Sequence, residues 1–281
     1  MSPIHDQSYR RYQGVRQPLG RAWSIIASAG VRAMMARKVF LALLLFAWIP
    51  FIVRAVQIYA VTMYPQAGQV VPVDVRMFQS FVEQQGTFVF FITIYVGAGL
   101  IATDRRANAL QIYLSKPLLR MEYIGGKLLV LMVFLLQATL LPGLLLIVLQ
   151  IVLSGSFDFI RANAYVIPAV TLASLVRVVV AAFAMLALSS LSKSTRYVAM
   201  LYTGVIFFTE SMYGVLTLVT GSTRVAWISI TRNIDIVTDL IFRQPPRYET
   251  PAIVAVLVLA GIVVVSISVL ERRVRGVEVV S

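Results

Sequence analysis

Long stretches without any charged residue constrain this chain more than any other feature. Residues 84–103, 128–157 and 250–270 form runs of 20, 30 and 21 residues that contain no Asp, Glu, Lys or Arg. A helix needs about 20 consecutive apolar residues to cross a hydrocarbon layer of roughly 30 Å. These runs therefore predict three membrane-spanning helices. Charged residues make up 13% of the chain, about half of the share in soluble domains, which excludes an ordinary soluble fold.

Three more apolar stretches contain one charged residue each. The charged residues are Arg54, Arg177 and Glu210. We therefore predict an all-α, polytopic membrane protein with six transmembrane helices. They belong to a single domain over residues 18–281, which follows a flexible basic tail over residues 1–17. The spans are predicted at about 39–62, 84–103, 128–153, 164–192, 197–220 and 251–270.

The segment before the first span has a helical pattern. Apolar residues and one glycine recur at spacings of three and four, so that they share one face of a helix, and arginines and serines occupy the opposite face. The apolar positions are Leu19, Trp23, Ile26, Gly30 and Met34. The pattern predicts an N-terminal amphipathic elbow helix within residues 18–37, lying at the membrane surface and leading into the first span.

The net charge of +13 is distributed unevenly between the predicted spans. The termini and the alternate loops on their side carry 17 Lys or Arg and five acidic residues, whereas the opposite loops carry six of each. Because basic loops resist translocation, both termini are predicted to be cytoplasmic in a multi-pass protein of the cell's inner (cytoplasmic) membrane. The basic residues lie between apolar runs, so we expect membrane lipids and not nucleic acid as partners.

Catalytic patterns are missing from the sequence. It contains no cysteine and a single histidine, His5, which argues against a thiol nucleophile, a Ser-His pair or a multi-histidine metal site. A phosphate-binding loop requires a glycine five residues before its Gly-Lys pair, but Met121 stands at that distance before Gly126-Lys127. We therefore expect a non-catalytic membrane protein without a cofactor or metal of its own.

The segment between the second and third spans carries the sharpest motif. It contains an acid and two arginines, a short apolar stretch, a Ser-Lys-Pro-Leu turn and a Gly-Gly-Lys that opens the next span. This pattern resembles the permeases of type-2 ATP-binding-cassette (ABC) exporters, and the six spans and elbow helix extend the resemblance to the whole chain. Ala107-Asn108-Ala109 departs from the family pattern, in which a glycine commonly precedes the short helix.

The resemblance implies a transmembrane permease subunit of an ATP-driven transporter, with export as the expected direction. The partners would be two copies of an ABC ATPase, which bind the ATP and Mg²⁺, and a second permease subunit that is identical or homologous. The resemblance further implies that the 104–120 loop transmits motion from the ATPase. Its candidate coupling residues are Asp104, Arg105, Arg106, Leu110, Leu114, Pro117, Leu118 and Arg120.

Physical arguments leave the role of this loop open. Apolar side chains such as Leu114 and Leu118 within a basic cytoplasmic segment favour docking against a partner's groove. Alternatively, the loop only anchors two spans at the interface, with its basic residues following the positive-inside bias. Two rival functions are a secondary transporter that uses Arg54, Arg177 and Glu210, and a membrane scaffold that docks an ATPase without transport.

The three charges within the spans each cost several kcal/mol in lipid unless they face protein, water or an opposite charge. Glu210 either pairs with Arg54 or Arg177 as a clamp within the bundle, or an unpaired arginine lines the path of an anionic or amphiphilic substrate. A further amphipathic helix is predicted in the outer loop around residues 227–241, where it would plug the bundle or form an outer gate.

Overall fold

The computed structural model describes residues 22–109 and 119–274. In chain order the α-helices are α1 (Ala22–Met35), α2 (Lys38–Ala47), α3 (Ile49–Met63), α4 (Val75–Ile92), α5 (Ala102–Arg106), α6 (Arg120–Ser154), α7 (Asp158–Ala162), α8 (Val166–Leu191), α9 (Thr195–Thr220), α10 (Ile230–Ile241) and α11 (Ala252–Arg273). The predicted 1–17 tail and the centre of the predicted coupling loop lie outside the described residues.

Six helical segments in the described part of the chain are long and apolar enough to cross a membrane. They are Lys38–Met63, Val75–Arg106, Arg120–Ser154, Val166–Leu191, Thr195–Thr220 and Ala252–Arg273. The prediction of an all-α protein with six transmembrane helices and an elbow helix is confirmed. The second and third of these segments begin before the predicted spans, at Val75 and Arg120.

The first spanning segment is broken in its middle, between α2 and α3. Pro50 stands in the first turn of α3, where its missing N–H is tolerated, but its ring excludes a continuous helix through the preceding turn. From α4, the buried Gln85 side chain donates a hydrogen bond of 3.2 Å to the carbonyl oxygen of Ala47 at the end of α2. A backbone carbonyl at the end of α2 thus accepts a hydrogen bond from another spanning helix.

The elbow helix α1 packs against the third span, α6. A Cβ atom on Gly126 would lie 2.8 Å from Cβ of Ile26 and 2.9 Å from the backbone oxygen of Trp23. On the α1 side, a Cβ on Gly30 would lie 2.6 Å from a methyl group of Val130. Glycine at these two positions allows the helices to approach closely, so part of the apolar face of α1 is covered by protein.

The second spanning segment changes its helical geometry before its end. A π-helical turn at Thr93–Gly97 follows α4, and α5 begins at Ala102. Here the buried Ser189 of α8 accepts hydrogen bonds from the backbone N–H groups of Ile101 (3.1 Å) and Ala102 (3.0 Å) and donates to the carbonyl of Ala98 (2.9 Å). Ser189 thus fixes the direction in which the chain enters the predicted coupling loop.

Candidate functional site

The two ends of the predicted coupling loop are joined by Asp104. Its carboxylate accepts a hydrogen bond of 2.7 Å from the hydroxyl of Tyr123 and lies 2.7 Å from Nζ of Lys127. Asp104 belongs to α5, whereas both partners belong to the first turns of α6. Movement of the loop is therefore linked to the ends of the second and third spans together.

The other predicted coupling residues fall into two groups. Arg105 donates a hydrogen bond to the backbone oxygen of Ser190 at the end of α8, and Arg106 and Arg120 are exposed. The remaining four, Leu110, Leu114, Pro117 and Leu118, lie outside the described residues.

Arg54 lies apart from the other two predicted intramembrane charges. Its guanidinium donates to Oε1 of Gln57 at 2.8 Å and to the hydroxyl of Ser80 at 3.0 Å. Ser80 belongs to α4, so Arg54 joins the first two spans through neutral partners. Both terminal nitrogens of the guanidinium thus have neutral acceptors, whereas its buried Nε has no acceptor among the described residues.

Arg177 and Glu210 belong to one chain of ionic contacts. Glu210 of α9 pairs with Arg232 of α10 and also accepts a hydrogen bond of 2.6 Å from Ser229. Arg232 lies 3.7 Å from Asp235, whose other oxygen lies 3.7 Å from Nη2 of Arg177 in α8. The partner of Glu210 is therefore Arg232, and among the described residues Glu210 pairs with neither Arg54 nor Arg177.

A second group of charged residues lies next to the ionic contacts of Arg177 and Glu210. Arg247 binds the carboxylates of Glu83 and Asp239, with contacts between 2.5 and 3.1 Å. Gln79 adds hydrogen bonds of 2.9 Å to Glu83 and 2.6 Å to Asp239. These contacts join α4 to α10 and to the loop before α11. We call the two groups together the charge cluster; it consists of Arg177, Arg232, Arg247, Glu83, Glu210, Asp235 and Asp239.

Protonation behaviour differs within the charge cluster. Burial raises the pKa of Asp235 to about 6, although the nearby Arg177 opposes this increase. For Arg232, burial lowers the pKa, but hydrogen bonds with Tyr248 and Glu210 outweigh this effect and the pKa lies above its ordinary value. Arg232 therefore remains charged, whereas Asp235 titrates close to neutral pH.

A cavity of about 520 Å³ adjoins the charge cluster. Its polar end is formed by Glu83, Arg177, Arg232, Asp235 and Arg247. Its apolar wall includes aromatic rings from two spanning helices, Phe90 of α4 and Tyr202 and Phe207 of α9. The ring centroid of Phe90 lies 5.9 Å from that of Tyr202 in a stacked arrangement and 6.0 Å from that of Phe207 in an edge-on arrangement. Charged groups at one end and rings along the wall make the cavity amphiphilic.

A comparison with protein families matches residues 24–273 to the ABC-2 family transporter proteins. The chain belongs to this family. It is thus a multi-pass membrane protein and a transmembrane subunit of an ABC transporter, a class whose membrane subunits are generally non-catalytic and work with an ABC ATPase. No curated protein matches the chain.

Sequence reasoning missed several residues of the site in this ABC-2 protein. Glu83 immediately precedes the predicted second span, and Arg247 follows the predicted outer helix, yet both line the cavity. The available signal was the predicted outer helix, now seen as α10, in which Asp235 and Asp239 are four residues apart and therefore share one face. Both aspartates are buried, so the polar face of α10 points into the protein.

Proposed function

We propose that this chain is the permease subunit of an exporter and that its ATPase drives it through the 104–120 loop. The observation that carries the proposal is the junction at Asp104, which ties the start and the end of that loop to two different spans. Force applied to the loop reaches the second and third spans through Asp104, which binds Tyr123 and Lys127. It also reaches the fourth span through Arg105, which binds the end of α8.

The proposed assembly contains two permease subunits, identical or homologous, and two ATPase subunits that bind ATP and Mg²⁺. It resides in the cytoplasmic membrane with both termini in the cytoplasm, as the excess of 17 basic over five acidic residues on that side supports. Arg177 and Glu210 are proposed to act at the outer end of the substrate path, whereas Arg54 holds the first span to the second.

Copurification tests the proposal. The chain is co-expressed with each candidate ABC ATPase of its source organism, and the amount of bound ATPase is measured for the wild type and for the double variant Leu114→Asp/Leu118→Asp. We expect the double variant to lose the ATPase, because two carboxylates remove the apolar contacts that docking requires.

A matched control introduces the same charges in a loop at the opposite end of the bundle. Val70 and Val71 are exposed apolar residues between the first two spans, so Val70→Asp/Val71→Asp is expected to retain the ATPase. Equal binding by the Leu114/Leu118 variant and the wild type would contradict the assignment of the docking loop.

A further inference from the structure

Arg177 and Asp235 are the two members of the charge cluster whose side chains make no hydrogen bond to any described residue. Arg177 is 5% exposed, and its Nε and Nη2 groups find no acceptor among the described residues. Asp235 is 8% exposed, and in the described part of the chain its nearest charged partners are guanidinium nitrogens at 3.7 Å, beyond hydrogen-bonding distance. Unpaired buried polar groups are costly, so this pair is suited to bind a polar group that enters the cavity.

The other charged side chains of the cluster already make hydrogen bonds to one another or to neighbouring residues, and of their groups only Nε of Arg232 is buried without an acceptor among the described residues. Arg247 is held by two carboxylates, and Arg232 is held by Glu210 together with the hydroxyl of Tyr248 at 3.0 Å. The rings of Tyr213 and Tyr248 also lie 5.4 and 5.9 Å from the Arg232 guanidinium. A ligand therefore forms its most favourable new hydrogen bonds with Arg177 and Asp235.

The net charge of the cluster limits which polar headgroup a ligand of this cavity can carry. The cluster contains three arginines and four carboxylates, so a purely anionic headgroup would add to an existing excess of negative charge. A purely cationic headgroup would correct the excess but would leave the N–H groups of Arg177 without an acceptor. A headgroup that carries both an anionic acceptor and a cationic donor satisfies both residues and leaves the net charge unchanged.

The rest of the cavity indicates an apolar chain attached to that headgroup. Its volume of about 520 Å³ fits a headgroup and the first part of a chain. The wall includes Phe91 of α4 and Phe207 of α9, whose side chains are also 50% and 62% exposed. The lining of the cavity therefore continues to exposed apolar rings on these two spanning helices, along which an acyl chain can lie.

We propose that this cavity binds a zwitterionic amphiphile whose phosphate accepts hydrogen bonds from Arg177 and whose ammonium donates to Asp235, with its chain extending along α4 and α9. Such a lipid is the substrate class of the exporter, a statement that rests on the proposed function. Binding of the lipid itself is measured without the ATPase, so the two proposals fail separately.

Native mass spectrometry of the purified full chain provides the test. The protein is offered equal amounts of dioleoyl lipids with three headgroups: phosphatidylethanolamine, phosphatidylglycerol and a cationic trimethylammonium. We expect phosphatidylethanolamine to be retained about tenfold more than either competitor, equivalent to about 1.4 kcal/mol. Equal retention of the three lipids, or a preference for either competitor, would overturn the proposal. Lysophosphatidylethanolamine is compared with the two-chain lipid to establish which form the cavity holds.

Variants locate the preference. Arg177→Gln/Asp235→Asn keeps the net charge and is expected to abolish the tenfold preference, so that the lipids are retained about equally. Arg177→Lys keeps the positive charge but loses the planar guanidinium that binds two phosphate oxygens at once, and it is expected to reduce the preference in part. Arg224→Gln is the control, because Arg224 has an 81% exposed side chain and lies outside the cavity lining. An unchanged preference in both Arg177 variants would contradict the site.

The result is independent of the ATPase. If the chain prefers phosphatidylethanolamine but no ATPase associates with it, the proposed function fails and the binding site stands. If the ATPase associates and no lipid preference is found, only the inference about substrate class fails.

Discussion

Substitution of Ser189 by alanine removes three hydrogen bonds at once. The hydroxyl serves the N–H groups of Ile101 and Ala102 and the carbonyl of Ala98, all in the second spanning segment. The side chain is fully buried, so water does not replace it freely. Because α5 leads directly into the predicted coupling loop, this substitution loosens the connection between that loop and the bundle.

The magnitude follows from the number of groups that lose a partner. Each hydrogen bond contributes a net stabilisation of about 1 kcal/mol, so three together give roughly 3 kcal/mol. Ser190 provides a matched control in the next position of the same helix. It is equally buried, but its hydroxyl donates only to the carbonyl of Ala187 in its own helix, and its removal is expected to cost about 1 kcal/mol.

Hydrogen–deuterium exchange of the 98–106 backbone amides measures this difference directly. A difference of about 2 kcal/mol between Ser189→Ala and Ser190→Ala corresponds to roughly 30-fold faster exchange in the former, since every 1.4 kcal/mol is a factor of ten. Amides at the start of α6 report whether the loosening spreads across the loop. If the two variants exchange at the same rate, Ser189 does not support the segment as the hydrogen bonds indicate.

Further predictions concern the charge cluster and the loop junction. A Cβ on Gly86 would collide with the guanidinium of Arg177, so Gly86→Ala should weaken the lipid preference, whereas Gly261→Ala, with open space around the new methyl group, should not; native mass spectrometry with the same lipids checks both. The raised pKa of Asp235, about 6 against an ordinary 3.8, means that the folded state binds more protons between these values. Stability should therefore fall as the pH rises through this window, by about 3 kcal/mol in total, and thermal unfolding of the wild type relative to Asp235→Asn should show it; equal pH profiles would refute the shift. Asp104→Asn, which removes the ionic contact at the loop junction, should reduce ATP hydrolysis by the copurified complex more than it reduces ATPase binding; equal reductions in both measurements would contradict a role in transmission.

The spanning helices were predictable because hydrocarbon excludes unpaired charge. Runs of uncharged residues therefore locate spans without knowledge of tertiary contacts. The same rule set the start of the second span just after Glu83, yet the helix begins at Val75 and continues through that residue. The charge of Glu83 is compensated by Arg247, which is 164 residues away in the sequence, and a rule that treats each charge alone does not find such a partner.

The candidate site was predictable only in part. Glu210 and Arg177 were identified as charges that require partners, but the sequence gives their depth and not their neighbours. Their ionic contacts run through Arg232 and Asp235, which belong to a helix predicted in the outer loop. That helix packs against the bundle and buries its polar face, whose partners lie on α4, α8 and α9. The coupling role of the 104–120 loop stays a prediction.

The central claim is that a separate ATPase drives this ABC-2 protein from the side of the 104–120 loop. The chain contains no cysteine, so a single introduced cysteine is a unique crosslinking site. Ser115→Cys places it within that loop, and Ala162→Cys places it at the end of the short helix α7 between the third and fourth spans, at the opposite end of the bundle. With the ATPase present and a short bifunctional reagent, the account predicts a crosslinked ATPase with Ser115→Cys and none with Ala162→Cys. A crosslink formed only with Ala162→Cys would contradict it.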